Sequence, residues 1–94
     1  MAKFFIPYSG EKPAFLLING HKLVLLSQDK RLLLDALDDV GADRLEVVSA
    51  RKEEQEHIFH AIAQKNEAGV VVAPRNASCQ ELIRTLELQL PWVQ

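Results

Sequence analysis

Five residues in this chain have the types and the placing to bind something: Ser27, Ser49, Arg75, Asn76 and Ser78. Each follows a short apolar run that reads as a strand. The three serines also stand where a helix would begin. In an α/β sheet the carboxyl ends of parallel strands and the N-termini of the following helices share one edge. Free backbone N–H groups and helix dipoles point there, and a small anion is their natural guest. The plainer reading is that the serines only cap helices, their hydroxyls accepting an unpaired backbone N–H.

A second group lies on a polar run, Arg51 to His57, which contains no apolar residue. Glu53, Glu54, Glu56 and His57 are gathered there, with His60 three residues on. Glu54 and His57 have the Glu-x-x-His spacing of carboxylate di-iron bundles, but such a site needs a second copy and two further carboxylates, and the chain has neither. Two histidines within one helical turn are a weak metal site. Glu53 with His57, and Glu56 with His60, can instead pair as i,i+4 neighbours. No metal or other cofactor is expected. Glu53, His57 and His60, with an exposed Leu88 and Trp92 near the end, make a set of residues suited to touching a protein partner. Cys79 falls in the first turn of a helix, where the dipole favours a thiolate. It also lies one turn before Leu82 and Ile83 on a core-facing stripe, so buried packing is the stronger reading. No serine, histidine and acid set for nucleophilic catalysis is readable, and the chain reads as non-enzymatic.

Glycine usage excludes nucleotide-binding loops. Gly10 and Gly20 belong to turns, Gly41 and Gly69 to helix ends, and the sequence has four glycines in all. None remains for a phosphate-cradling loop. The net charge is −2 with no Lys/Arg cluster, which argues against a nucleic-acid partner or a polybasic membrane surface. No apolar run approaches the roughly 20 residues of a membrane span. The start has too short an apolar stretch for a secretion signal. A lone cysteine allows no internal disulfide, which suits the cytoplasm.

The elements that must position these residues follow from pattern. With 94 residues, about half of them apolar, one compact α/β domain over 1–94 is expected. Residues 3–7 read as a strand stopped by Pro7. Residues 14–18 and 21–26 flank Asn19-Gly20, the strongest short hairpin signal. Ser27 then caps a helix with Leu33, Leu37 and Val40 on one face, an Arg31–Asp35 pair on the other, and Gly41 at its end. Residues 45–48 form a strand, Ser49 caps a long helix closed by Gly69, and 70–73 form the last strand. Ser78 and Glu81 make a capping box for a final helix that buries Cys79, Leu82, Ile83, Leu86 and Leu90 before Pro91. Trp92 and Val93 then fold back onto the surface. The order is β-β-β-α-β-α-β-α: a mixed sheet with an N-terminal strand and a β-hairpin, followed by βαβα units. The last three strands run parallel and the hairpin adds an antiparallel edge.

Three places in this pattern resemble the N-terminal domain of the SseB (serine-sensitivity enhancer) family. They are Phe5-Ile6-Pro7, Leu25-Leu26-Ser27 with Leu32 and Leu33 following, and Gly69-Val70-Val71-Val72-Ala73-Pro74. Ala73 and Arg75 stand where that family has Asn and a small residue. The resemblance implies a bacterial cytoplasmic α/β domain of regulatory or partner-binding kind, without established catalysis. Two functions are therefore expected: a regulatory or protein-interaction module, with self-association through an open sheet edge, or a small-anion or metabolite sensor at the strand ends.

Overall fold

The computed structural model describes residues 1–93. Its strands are β1 (Ala2–Ser9), β2 (Lys12–Pro13), β3 (Phe15–Ile18), β4 (His21–Ser27), β5 (Arg44–Ala50) and β6 (Gly69–Ala73). Its helices are α1 (Lys30–Ala36), α2 (Gln55–Asn66) and α3 (Cys79–Gln89), with a 3-10 turn, Lys52–Glu54, leading into α2. All six strands join one mixed sheet, and the α/β class expected from the pattern holds.

β4 is the centre of the sheet. Its run Leu23-Val24-Leu25-Leu26 is apolar without alternation, as a strand covered on both faces must be. Val24 and Leu26 enter one core with Phe4, Ile6 and α2 residues Ile58, Phe59 and Ile62. Leu23 and Leu25 enter the opposite cores, against Ile83 and Leu86 of α3 and Leu32 and Leu33 of α1. Three layers result, with α2 on one face and α1 and α3 on the other. The hairpin forms as expected: Ile18 faces His21, and Asn19 and Gly20 have φ of 52° and 86°.

β1 departs from expectation. It does not stop at Pro7 but runs to Ser9, pairing antiparallel with β5 from Ala2–Ala50 to Tyr8–Arg44. The Pro7 carbonyl accepts from the Ala14 N–H at 2.9 Å. In an extended strand a residue's N and C=O face the same edge, so the donor that Pro7 lacks lies on the β2 side and not on the β5 side. β1 meets β4 at Phe5–Ser27, on that same edge, and at Pro7 the two strands diverge. β2 and β3 pair with the ends that the divergence frees. Consequently β4, β5 and β6 do share one direction, but only β4 and β6 are neighbours, because β1 lies antiparallel between β4 and β5. The hairpin is also no edge feature, since its second strand is central.

The helix boundaries shift as well. Ser27 is the last residue of β4, and Asp29 is the N-cap of α1. α1 ends at Ala36, so Leu37 and Val40 lie beyond it in a turn where Gly41 has φ of 68°. Ser49 belongs to β5 and caps nothing. The polar run beyond it makes only the 3-10 turn before α2 starts at Gln55. α2 closes at Glu67 in the left-handed conformation (φ 51°), and Gly69 opens β6 instead. There the close approach is to Leu23, whose Cδ2 would lie 2.9 Å from a β-carbon. Ser78 caps α3 as expected, accepting from the Glu81 N–H at 3.1 Å.

Candidate functional site

Ser27 is fully buried at the carboxyl end of β4. Its hydroxyl donates to the Ala73 carbonyl and accepts from the Asp29 N–H, both at 3.0 Å. One side chain therefore ties the end of β4 to the end of β6 and turns the chain into α1. The next residues continue the stitching. Asp29 Oδ1 accepts from the N–H groups of Arg31 and Leu32, while Oδ2 accepts from the N–H of Asn76 at 3.1 Å. Arg75 donates through Nη2 to Gln28 Oε1 at 2.9 Å. Asn76 holds a left-handed φ of 64°, a conformation Asn tolerates better than most residues, which turns its N–H onto Asp29.

Of the five strand-end residues, the fold joins Ser27, Arg75 and Asn76 into this cluster, with Ser78 nearby in the same chain segment. Ser49 is not joined to them: it is exposed on β5, paired with Lys3, and β1 separates its strand from β4. Sequence reasoning missed Gln28 and Asp29, the residues that Arg75 and Asn76 actually meet. The signal was present, because Asp is as good an N-cap as Ser and stands two residues later. The Asp29 carboxyl is held below its ordinary value, chiefly by the Asn76 N–H, with the Leu32 and Arg31 N–H groups adding to it. A negative charge that belongs to the chain thus already occupies the head of α1.

The other expected residues spread over both faces. Glu53 is exposed in the 3-10 turn, and His57 and His60 are exposed on α2. Among the described residues neither histidine makes an ion pair. The nearest ion pair is Arg51–Glu54, at 3.7 Å, and Arg31 and Asp35 do not join one. No group of three His, Cys, Asp or Glu is placed to hold a metal among the described residues. Leu88 (83% exposed), in the last turn of α3, and Trp92 (74% exposed), just beyond it, lie on the opposite side of the sheet. Val93 does fold back, donating its N–H to the Asn19 carbonyl at 3.0 Å, but Trp92 remains in solvent. Asn19 also donates to the Glu87 and Leu90 carbonyls, and His21 bonds the Pro91 carbonyl, so the hairpin turn holds the end of α3. Cys79 is buried, and burial pushes its thiol pKa up, away from a nucleophile.

Phe5 and Leu45 pack against α1 residues, and alternation along β5 aims Val47 the same way. α1 is only seven residues long: it half-covers Phe5 and Leu45 and leaves Val47 exposed. Lys30 Nζ stands 6.0 Å from the Phe5 ring, and one turn on, Leu34 is 49% exposed, as Val47 is 52% exposed. Beside this apolar face is a strand edge. The groups of Phe5 and Pro7 face β4 and β2, so their partners across β1–β5 are not hydrogen-bonded pairs. The N–H and C=O groups of Leu45, Val47 and Ser49 therefore point outward. Among the described residues, no strand pairs with them. No helix among the described residues is long and apolar enough to cross a membrane.

No protein-family model, no curated protein and no solved structure matches this chain.

Proposed function

We propose that this protein is a non-enzymatic, regulatory interaction module of the cytoplasm that works by strand addition at the outer edge of β5, with a second copy as the partner. The observation that carries it is an unfilled strand edge, Leu45 to Ser49, beside the exposed Val47 and its half-buried partner Phe5. Open edges of this length are normally blunted by proline, a bulge or an inward-facing charge. β5 has Arg44 and Glu46, but they bond each other at 2.8 Å and their backbone groups face β1. The resemblance to the SseB family's N-terminal domain accords with a regulatory role. The alternative, a sensor of small anions or metabolites at the strand ends, has less support because Asp29 and Gln28 already engage the donors of Asn76 and Arg75.

Sedimentation equilibrium over a wide concentration range tests the reading. Reversible dimerisation is expected, and Val47→Pro should abolish or weaken it, since the N–H it removes faces outward and serves no bond within the chain. A wild-type chain that stays monomeric up to millimolar concentration would overturn self-association.

A further inference from the structure

α2 lies on its face of the sheet with no fully buried residue. Its anchors Ile58, Phe59 and Ile62 are only half-buried, although the Phe59 ring meets Phe4 edge-on at 5.0 Å. Toward the β1–β2 hairpin the helix and the sheet separate, leaving a cavity of about 480 Å³. Pockets for small organic ligands run from about 300 to 1,000 Å³ and are largely apolar with a few polar groups. This one has that build. Ile6, Val48, Ile58 and Ile62 form its walls, with Ala61 at the side of the helix. The rim carries Lys12, Lys65, Glu11 and His57. Among the described residues, neither lysine makes an ion pair, and two lysines against one glutamate leave the rim net positive. Nothing in the stitching of the strand ends, or in the β5 edge, uses this cavity.

We infer that the cavity between α2 and strands β1, β2 and β5 binds a small amphiphile, an apolar chain carrying one anionic head, with the chain against Ile6, Val48, Ile58 and Ile62 and the head at Lys12 and Lys65. The chemistry follows from the lining. The apolar walls take hydrocarbon without leaving a polar group unpaired. Ammonium groups at the mouth can meet a carboxylate while staying in water, their stems lying along the apolar wall. A cationic head would face two lysines.

The test is an amide NMR titration with dodecanoate below its micelle concentration, beside dodecyltrimethylammonium and dodecanol of equal chain length. Saturating shifts centred on Ile6, Val48, Ile58 and Ile62 are expected with dodecanoate, and weaker binding of the other two. A Lys12→Glu, Lys65→Glu double variant should lose about tenfold in affinity or more, the worth of a charge-assisted contact. Ala61→Phe should block the chain. Both lysines are exposed, so their reversal leaves the fold intact and decides the matter even if the Ala61 variant does not fold. Absence of saturable shifts at these positions would overturn the inference. So would equal binding of the cationic amphiphile, or affinity unchanged by charge reversal.

Discussion

At the scale of single residues, the strand-end cluster holds the molecule together, and Ser27 and Asp29 carry most of it. Ser27 is the only buried polar side chain among the described residues, and its hydroxyl is used both as donor and as acceptor. Ser27→Ala leaves the Asp29 N–H and one lone pair of Ala73 without that partner, and a destabilisation of about 1–3 kcal/mol is expected in urea unfolding. Asp29 acts through charge. Its folded pKa lies below the ordinary value of 3.8, so the folded state favours the carboxylate. The stability it contributes is complete above the unfolded pKa and is lost as pH falls through the lower folded value. Asp43 behaves alike, lowered chiefly by the Gly10 N–H, which donates to its Oδ2 at 3.1 Å. Asp29→Asn keeps a capping oxygen but removes the charge. Its melting temperature should fall below wild type at neutral pH, with the gap closing under acid conditions. A gap independent of pH would show that shape and not charge is what Asp29 supplies.

At the scale of elements, the molecule is unevenly built. β4 is buried from Leu23 to Ser27, and β1 is braced on both edges. α2 has one aromatic contact and three half-buried anchors. Local opening costs least where buried apolar contacts are fewest. Amide hydrogen exchange should therefore be slowest in β4 and the middle of β1 and clearly faster in α2. Equal protection of α2 and β4 would mean that the helix is packed more tightly than its exposure indicates. A loosely seated helix also fits a cavity beneath it, and added dodecanoate should slow α2 exchange selectively.

At the scale of the whole molecule, the β5 edge limits how two copies could join. Only Leu45, Val47 and Ser49 point their backbone groups outward, so an antiparallel pairing must match these residues with one another. Centring the two-fold axis on Glu46 would face Glu46 with its own copy, a like-charge pair that costs stability. Centring it on Val47 sets Val47 against Val47 and Leu45 against Ser49, and joins the two apolar faces into one. An isologous contact of this kind closes as a dimer. Because Val47 then lies on the axis, Val47→Pro removes a central donor from each chain. The two lost bonds amount to about 1–3 kcal/mol, a dimer roughly 5- to 140-fold weaker.

Local chemistry was enough to read the parts that depend on neighbours in the chain. Asn19-Gly20 alone demands the positive φ pair of a tight hairpin, and Ser78 with Glu81 marks the start of α3. What could not be read there depends on contacts far apart in sequence. Whether Pro7 ends a strand turns on which edge its missing N–H faces, and that is set by the pairing of β1 with β5, some 40 residues away. The Ser27 hydroxyl suggests a cap, but only the parallel register of β6 brings the Ala73 carbonyl within 3.0 Å and makes it a cross-strand tie. Asp29 then takes the capping role two residues on, and Asn76 reaches it across 47 positions of chain. The open edge of β5 and the cavity under α2 belong to the same class. Neither is a property of any segment, since both are spaces left where the chain's own elements end, and such a space exists only once every element has found its place.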